Sequence, residues 1–305
     1  MNEFTASNDL LLDPAGIWLR AQEDGYLFFR GLVEREALLA VRRDILALCA
    51  EAGWLAPGTD PMEGIARPGV VWIEPQPEFM AVYNRVMRLE SFHTLAHQTG
   101  LLAMFDTLFG ETPLVHARNI ARIVFPNNTL HTTPAHQDYV HIQGTTETWT
   151  AWIPLGDCPR GLGSLAIMRG SHRQGVYATR AAYGAGGLGI DTESLPFEWL
   201  TADFEAGDVV VFHSLTVHKA LPNLSPSRIR LSCDFRYQPE SHPVTESSFQ
   251  PHYAQVTWDD VYREWKSTAY QYYWRDRPLN WAEFTRKYHE AAGPPERAGV
   301  EEDGR

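Results

Sequence analysis

The sequence contains very little cysteine. Only Cys49, Cys158 and Cys233 occur in 305 residues, an odd number without a CxxC spacing. A disulfide framework and a cysteine zinc site both need paired or closely spaced cysteines, so neither fits this pattern. A chain of this length buries enough surface to fold without such cross-links. We therefore expect three reduced thiols in a cytoplasmic protein.

Long apolar runs and an excess of positive charge are also missing. No stretch approaches the 18 consecutive apolar residues of a transmembrane helix, and the N-terminus lacks the basic region of a signal peptide. Lysine and arginine total 26 against 38 aspartates and glutamates, a formal net charge of −12. Nucleic acids and anionic membranes attract basic surfaces, so the charge argues against both as partners. We expect a small-molecule substrate, and the oligomeric state is left open.

The composition is that of a globular protein, with 44% apolar and 21% charged residues. This balance excludes intrinsic disorder for most of the chain. Apolar residues at three- and four-residue steps predict a helix over about 35–52. A second helical stretch, broken near Gly100, is predicted over about 79–108. Short apolar runs predict strands within 25–33 and over 70–73.

From about Leu114 to Tyr237 short strand-like runs alternate with turn residues. This spacing predicts an antiparallel sandwich or barrel. The runs are ARIVF, HQDYVHIQG, TWTAWIPL, SLAIM, DVVVFHS and RIRLSCDFRYQ. The glycine-rich stretch at 183–191 does not lie between a strand and a helix and has no following Lys-Ser/Thr pair. We therefore interpret it as a flexible loop and not as a nucleotide-binding loop.

Aromatic residues are concentrated near the C-terminus. Between Tyr253 and Tyr288 lie 11 of the 36 phenylalanines, tryptophans and tyrosines of the chain. Two short amphipathic helices packed on the core would explain them. An oligomer interface or a cap over an active site are the alternatives, since aromatic residues and arginine are enriched in such places.

His136 and Asp138 flank Gln137 inside one of the β-rich runs. Alternate residues of a strand point to the same face, so we expect the imidazole and the carboxylate to lie side by side. One further imidazole would complete a 2-His-1-carboxylate triad, which leaves open coordination positions and commonly holds non-haem iron(II) in oxygenases. The tripeptide alone occurs by chance in many chains, so its meaning depends on a third ligand.

The third ligand is expected 80 residues further along the chain. There the strand-like run VVVFHS is followed by His218. A histidine just after a buried strand in the second half of a β domain is well placed to complete the triad. His213 is the alternative, although its apolar neighbours favour a hydrogen-bonded role in the core.

Two arginines follow on the next predicted strand. Arg228, Arg230 and Ser232 alternate with apolar residues and are therefore expected on one face. A guanidinium that faces a pocket suits a carboxylate, which it binds through two parallel hydrogen bonds. Taken alone, either arginine is better explained as an exposed or salt-bridged strand residue.

Further motifs accompany these residues in a fixed order. They are HQD at 136–138, WTAWIPL at 149–155, MRGSH at 168–172, then His218, Asn223 and Arg228, and RYQ at 236–238. In this combination the sequence resembles the phytanoyl-CoA dioxygenase family, from about residue 15 to 275. Members of that family are Fe(II)- and 2-oxoglutarate-dependent oxygenases with a double-stranded β-helix, or jelly-roll, fold.

The resemblance implies that His136, Asp138 and His218 bind Fe(II) and are the catalytic residues. 2-Oxoglutarate and O₂ would be the co-substrates, with formation of succinate and CO₂. Family relatives that chlorinate have a small residue in place of the carboxylate, so Asp138 favours hydroxylation of an unactivated C–H bond. No basic cluster flanks the motifs that would suit the phosphates of CoA. A small metabolite, such as an intermediate in natural-product biosynthesis, is therefore the expected substrate.

The resemblance also implies a site for 2-oxoglutarate. Arg228 matches the family arginine that pairs with the distal carboxylate, and Trp149 matches an aromatic residue that lines the same pocket. Arg230 is the alternative anchor, because it precedes Ser232 in an Arg-x-Ser pattern found in other 2-oxoglutarate oxygenases. Core packing is the alternative role for Trp149.

The expected architecture is mainly β with flanking helices, a cupin-like jelly roll in a single domain over 1–292. It comprises a helical N-terminal part over about 1–110, a jelly-roll core over about 111–240 and an aromatic-rich helical part over about 250–292. Residues 293–305 are predicted to form a disordered tail. Two other functions stay open: a cupin-like metal-dependent isomerase or hydrolase without 2-oxoglutarate, and a non-catalytic β-sandwich binding module.

Overall fold

The computed structural model describes residues 1–290. The predicted tail at 293–305 lies outside the described residues. The strands, in chain order, are β1 (Asn2–Glu3), β2 (Tyr26–Phe29), β3 (Pro113–Val115), β4 (Ile120–Val124), β5 (Trp149–Pro154), β6 (Leu165–Met168), β7 (Arg180–Ala181), β8 (Leu188–Gly189), β9 (Trp199–Thr201), β10 (Val209–His213), β11 (His218–Ala220), β12 (Arg230–Pro239), β13 (Val244–Thr245) and β14 (Trp281–Ala282).

Two sheets form the centre of the fold. The six-stranded sheet has the order β2-β10-β5-β12-β3, and β4 also pairs with β12. The four-stranded sheet has the order β1-β9-β6-β11, in which β1 and β9 are parallel and the other pairs antiparallel. Both sheets contribute to one buried cluster that contains Phe28, Trp152, Ile167 and Phe212. Two facing, mostly antiparallel sheets make a jelly roll, which confirms the predicted fold class.

Strand β12 separates the core of the protein from the space between the sheets. Leu231 and Phe235 point to one face and join the large apolar core. Arg230, Asp234 and Arg236 point to the opposite face and line the openings between the sheets. The alternation of apolar and polar residues along this strand therefore decides which side chains can reach a ligand.

The helices of the first 110 residues pack against the outer face of the six-stranded sheet. Ile17, Leu38, Val82 and Leu101 share one core cluster with Leu231 of β12. No helix among residues 1–290 is long and apolar enough to cross a membrane. The helices are α1 (Pro14–Asp24), α2 (Arg35–Glu51), α3 (Pro77–Val86), α4 (Glu90–Thr94), α5 (Thr99–Phe109), α6 (Tyr139–Ile142), α7 (Trp258–Tyr262) and α8 (Lys287–Glu290).

Helix α2 confirms the helix predicted over about 35–52. Its buried residues include Leu38, Val41 and Ile45, which recur at the predicted spacing. The chain leaves the helix at Gly53, whose φ of 73° is a left-handed conformation that glycine adopts without strain. Periodicity and a glycine stop were therefore sufficient to predict this element.

Other local predictions differ from the structure. The strand predicted over 70–73 is wrong, because these four residues lie in an irregular loop and pair with no strand of the described chain. The helix predicted over 79–108 is divided into α3, α4 and α5, with an interruption before Thr99 that lies close to the predicted break near Gly100. The run HQDYVHIQG is not a strand, since 139–142 form helix α6.

The aromatic-rich C-terminal segment contains the two short helices α7 and α8. Tyr262 and Trp274 are buried in the same core cluster as helices α1 to α5. Tyr253 packs against this cluster and also lines the cavity beside β4. The segment thus completes the core, and at Tyr253 it also contributes to the wall of the cavity.

Candidate metal centre

His136 and His218 lie opposite each other on neighbouring segments. The backbone N–H of each donates to the carbonyl oxygen of the other, over 3.0 Å in both directions. This bridge brings the two imidazole rings together, with centroids 4.2 Å apart. Two residues after His136, the backbone of Asp138 is helical and starts α6. The side chains converge because the chain turns at Asp138, and not through alternation along a strand.

One nitrogen of each histidine is held by the backbone. Nδ1 of His136 lies 2.8 Å from the carbonyl oxygen of Pro134, and Nδ1 of His218 lies 3.0 Å from that of Thr216. A carbonyl oxygen only accepts, so each Nδ1 carries the proton and donates it. Each Nε2 then presents a lone pair, and the two Nε2 atoms lie 3.6 and 3.7 Å from Oδ1 of Asp138.

The Asp138 carboxylate is fixed through its other oxygen. Thr150 Oγ1 donates to Oδ2 over 2.5 Å, and Nε and Nη2 of Arg236 each donate to the same atom over 3.2 Å. Burial alone would raise the pKa of Asp138, but the charge of Arg236 and the two histidines hold that pKa well below its ordinary value. Burial lowers the pKa of His218 to about 3. The site thus presents a carboxylate beside a neutral His218 imidazole, the forms that bind metals.

The donor set fits a divalent metal. Among the described residues, one ligand atom from each of His136, Asp138 and His218 lies within 4.8 Å of the other two. Within the described part of the chain, the atoms that would bind the metal form no hydrogen bond, whereas both Nδ1 atoms and Oδ2 are already hydrogen-bonded. Two imidazoles and one carboxylate on one side of an ion suit non-haem iron(II) and leave positions for further ligands.

Two openings meet at this triad, and His136 and Asp138 line both. The first is a narrow pocket, which His218 also lines; its other walls include Thr150, Trp152, Leu165, Phe212, Ala220 and Arg230. The second is a cavity of about 430 Å³, whose walls include Arg118, Ile120, Ile142, Arg236, Ser248, Tyr253 and the glycine loop 184–187. A metal at the triad is therefore accessible from two directions.

The two candidate arginines lie in different places. Arg230 lines the narrow pocket and is 3% exposed. Its Nη1 donates to Ser232 Oγ over 2.5 Å, whereas its Nε has no hydrogen-bond partner in the residues that the structure describes. Arg228 precedes β12, is half-buried and lines neither opening. Its backbone forms a β-bridge with Ile65. The pKa of Arg42 is lowered mainly by burial and in addition by the nearby charge of Arg228. The structure therefore brings Arg230, and not Arg228, to the triad.

Trp149 does not line the narrow pocket. Along β5, Thr150 and Trp152 face the pocket, so Trp149 points to the opposite side and packs in the core. Its ring centroid lies 5.2 Å from that of His213. The aromatic residue beside the candidate anchor is Trp152, whose ring centroid lies 5.9 Å from the guanidinium carbon of Arg230.

His213 and His172 lie outside the triad. Nε2 of His213 is 3.4 Å from a carboxylate oxygen of Glu147, and Nε2 of His172 is 3.0 Å from the carbonyl oxygen of Gln22. Their ring centroids are 5.5 Å apart. Both histidines make contacts within the protein that do not involve the openings at the triad.

Three further polar residues near the triad differ in whether they reach the openings. His141 lines the cavity, and Arg122 lines both openings. Gln143 lines neither, because its amide group donates to and accepts from the backbone of Thr285. In a regular strand, His141 and Gln143 would point to the same face. The helical turn α6 instead directs their side chains to different sides.

Sequence reasoning missed Arg236 and Thr150, the two residues that fix the carboxylate of Asp138. Arg236 is 98 residues away from Asp138 in the sequence, so no local motif joins them. The available signal was alternation, since Arg236 shares a strand face with Arg230 and Thr150 shares one with Trp152. That signal indicates the face of a residue but not its partner.

Comparison with known families decides the class of protein. A sequence model of the family described as Phytanoyl-CoA dioxygenase (PhyH) matches residues 21–232, more than half of the chain, including all three triad residues. The protein belongs to the phytanoyl-CoA dioxygenase family. Together with the triad, this membership makes it a non-haem iron(II)- and 2-oxoglutarate-dependent oxygenase. The predicted resemblance is confirmed, and family membership argues against a cupin-like isomerase or hydrolase and against a non-catalytic binding module.

Two curated proteins are similar to this member of the dioxygenase family. The 1-deoxypentalenic acid 11-beta-hydroxylase of Streptomyces arenae is 29% identical over 254 residues, which cover 79% of this chain and 86% of the relative. The hydroxylase of the same name from Streptomyces exfoliatus is 28% identical over 256 residues, covering 79% and 87%. The similarity extends over most of the length of both relatives.

A solved structure shares the fold. The crystal structure of EctD from S. alaskensis with 2-oxoglutarate and 5-hydroxyectoine superposes with a TM-score of 0.51 at 19% identity. The match covers 80% of this chain and 81% of EctD. At this level of identity the likeness shows the common jelly-roll fold alone.

Proposed function

We propose that this oxygenase hydroxylates an unactivated C–H bond of a small natural product. The observation that carries the proposal is the meeting of a narrow pocket and a 430 Å³ cavity at one His-Asp-His triad. The narrow pocket would take 2-oxoglutarate and the cavity the substrate. His136, Asp138 and His218 would hold the iron, which, with 2-oxoglutarate and O₂, would supply the oxidising power for hydroxylation and leave succinate and CO₂.

We propose Arg230 as the anchor of the distal carboxylate of 2-oxoglutarate. Its guanidinium is buried, and no carboxylate of the described residues lies within 4 Å of it. An unpaired buried cation costs several kcal/mol, which an incoming carboxylate would offset. Arg122, also at this pocket, is already paired with Asp234 over 2.9 Å. Because Arg228 lies outside both openings, Arg230 of the Arg-x-Ser pattern is the better candidate for the carboxylate anchor.

The remaining side chains of the site would orient the Asp138 carboxylate and exclude water from the narrow pocket. Thr150 and Arg236 would keep Oδ1 of Asp138 directed at the metal, because they hold Oδ2. Trp152 and Phe212 would exclude water from the narrow pocket around 2-oxoglutarate. The protein thereby fixes geometry, while the metal and co-substrate carry the oxidation. No side chain is needed as a general acid or base.

The relatives and the size of the cavity both support a small natural product as the substrate. Both curated relatives are named as hydroxylases of 1-deoxypentalenic acid. The resemblance to the family associates the carboxylate of Asp138 with hydroxylation and not with chlorination. A cavity of about 430 Å³ suits a small molecule. Cys49, Cys158 and Cys233 are all buried free thiols, which supports a reducing compartment, and we propose the cytoplasm.

Oxygen-18 labelling tests the proposed function. The protein with Fe(II) and 2-oxoglutarate under ¹⁸O₂ should form succinate that carries one ¹⁸O atom. Arg230→Gln should raise the 2-oxoglutarate concentration at half-maximal rate about 10–100-fold, because a charge-assisted hydrogen bond is lost. Arg228→Gln is the matched control and should stay within about 2-fold, since its side chain lies outside both openings.

Two results would contradict the proposal. Absence of labelled succinate from the iron-loaded wild-type protein would argue against oxygenase turnover of 2-oxoglutarate. If Arg228→Gln raised the 2-oxoglutarate concentration at half-maximal rate more than Arg230→Gln did, Arg228 would be the anchor of the distal carboxylate.

A further inference from the structure

The wall of the larger cavity contains an arginine that the proposed chemistry does not use. His116, Arg118, Ile120 and Arg122 follow each other at every second position before and along β4, and all four line the cavity. The residues between them point the other way, as Ala121 does in the core. Arg118 itself precedes β4, and its backbone N–H donates to the carbonyl oxygen of Ser248 over 2.9 Å, which fixes this segment at the cavity wall.

Arg118 differs from the other arginines of the cavity in having no side-chain partner among residues 1–290. Arg122 pairs with Asp234 over 2.9 Å and with Glu74 over 3.8 Å, and Arg236 pairs with Asp138 over 3.2 Å. Among the side chains that the structure describes, none forms an ion pair or a hydrogen bond with the guanidinium of Arg118. Only its backbone N–H is bonded, to the carbonyl oxygen of Ser248.

The surroundings leave the charge of Arg118 uncompensated. Burial lowers its pKa, and the neighbouring charge of Arg236 lowers it further. Burial, followed by the charges of Arg122, Arg118 and Arg236, holds the pKa of His252 well below its ordinary value, so this imidazole is neutral. Nδ1 of His116 is buried and has no hydrogen-bond partner in the described range 1–290. The cavity wall thus contains the ion-paired side chains of Glu74, Arg122, Asp138 and Arg236, and beside them Arg118, which has no ion pair among the described residues.

We propose that Arg118 binds a carboxylate of the substrate, so that the enzyme acts on monocarboxylic acids. A guanidinium presents two parallel N–H donors that match a carboxylate, and a half-buried position strengthens this pair relative to one in water. The inference rests on the proposed function, because it assigns the cavity to the substrate.

A single charge selects among anions. Arg122 is paired with both Asp234 and Glu74, and Arg236 is paired with Asp138. Arg118 is therefore the arginine of the cavity wall for which the described residues offer no carboxylate partner. A carboxylate supplies one negative charge and balances the charge of Arg118. A phosphate monoester or the phosphates of a CoA thioester would bring two or more negative charges into a partly desolvated cavity without enough cations, which is unfavourable.

The experiment compares acids with neutral amides of the same shape. Adamantane-1-carboxylate and decanoate, with their primary amides, are titrated into the anaerobic Fe(II) protein saturated with 2-oxoglutarate, and dissociation constants are measured by calorimetry. We expect each acid to bind at least about 10-fold more tightly than its amide. Arg118→Gln should remove this preference, and Arg118→Lys should retain part of it, because the charge stays but the fork is lost.

Matched measurements make the outcome decisive. Arg35→Gln removes an arginine that is 61% exposed on α2 and should keep the wild-type preference. If neither acid binds more tightly than its amide, or if Arg118→Gln keeps the preference, the inference is overturned. A visible charge-transfer band on addition of 2-oxoglutarate, recorded before the probes are added, reports on the proposed function separately. Its presence without an acid preference contradicts only the role of Arg118.

Discussion

Arg236 and Thr150 share the task of holding one oxygen of Asp138, and this leaves the other oxygen free for a metal. Both donate to Oδ2, at 3.2 and 2.5 Å. Partners that orient a metal ligand typically change metal affinity or activity about 10–100-fold when they are removed. The ion pair between Arg236 and Asp138 is buried, so its loss also leaves a carboxylate without its cation.

Replacing Arg236 therefore tests this arrangement. We expect Arg236→Gln to weaken Fe(II) binding about 10–100-fold, measured by anaerobic equilibrium dialysis. Arg236→Lys keeps the positive charge but not the two parallel N–H donors of the guanidinium. Its affinity for Fe(II) should therefore lie between those of Arg236→Gln and the wild type. Wild-type affinity in Arg236→Gln would show that Thr150 alone orients the carboxylate.

At the residue scale, the sequence predicted which residue types form the site better than it predicted where each side chain lies. The three triad residues could be proposed from their types and spacing, and the structure brings their ligand atoms within 4.8 Å of one another. Arg228 and Arg230 could not be separated, because alternation assigns both to one face. The structure separates them because β12 starts only at Arg230, so the chain before it follows another course.

Helix α6 is the element that turns Asp138 towards the histidines, and its end is strained. Gln143 follows the helix with φ 57° and ψ −156°, a conformation that is almost confined to glycine. The Gln143 amide donates to the Thr285 carbonyl oxygen over 2.7 Å and accepts from the Thr285 N–H over 2.9 Å. The C-terminal segment thus holds α6 in a conformation that the backbone alone disfavours.

Two substitutions at Gln143 separate backbone strain from the hydrogen bonds. Gln143→Ala and Gln143→Gly both lose the contacts to Thr285, but glycine adopts the backbone conformation without strain. We expect Gln143→Gly to have a free energy of unfolding about 1–2 kcal/mol higher than Gln143→Ala. Urea unfolding of both variants measures this difference. Equal stabilities, or a less stable glycine variant, would contradict strain at this position.

The glycine loop 184–187 forms part of the cavity wall and contains two unequal positions. At Gly184, with φ 101°, an added Cβ would lie 2.5 Å from the carbonyl oxygen of Thr132. At Gly187, with φ 67°, it would meet no heavy atom within 4 Å. The two positions therefore differ in space and not only in backbone conformation.

This difference predicts unequal effects on substrate binding. Gly184→Ala must move the loop away from Thr132, so we expect it to raise KM for the substrate at least about 5-fold. Gly187→Ala adopts a left-handed conformation at a cost of about 1 kcal/mol and should change KM by less than about 2-fold. Steady-state kinetics of the two variants provide the measurement. Indistinguishable KM values would show that the loop does not shape the cavity.

At the element scale, periodicity predicted long elements and failed for short ones. Helix α2 has several turns of regular apolar spacing, which determine its type and length. Helix α6 has only four residues and is placed by the packing of its neighbours, including the contact between Gln143 and Thr285. Its sequence has the composition of a strand, so the reason for its conformation is tertiary and lies outside the local sequence.

On the scale of the whole molecule, buried histidines make stability depend on pH. Burial lowers the pKa of His93 and of His116 to about 4 each, below their ordinary value of 6.5. Between these values the unfolded chain binds protons that the folded protein does not. The free energy of unfolding therefore falls as the pH decreases from about 6.5 to about 4, by up to about 3 kcal/mol for each histidine.

Urea unfolding at pH 7.5 and at pH 5 measures this dependence. We expect the wild type to lose stability at the lower pH, and His93→Gln to lose less, because one of the titrating groups is gone. The comparison of slopes cancels the contribution of the other histidines, which both proteins share. The same loss of stability in wild type and His93→Gln would exclude the buried imidazole as a cause.

The central claim concerns the whole site: the His-Asp-His triad binds iron(II), and 2-oxoglutarate binds beside it. The most direct test is an anaerobic titration of the Fe(II)-loaded protein with 2-oxoglutarate, followed by visible absorption. We predict a charge-transfer band that saturates with 2-oxoglutarate in the wild type and is absent in His136→Ala. No band in the iron-loaded wild type, or an unchanged band in His136→Ala, would contradict the claim.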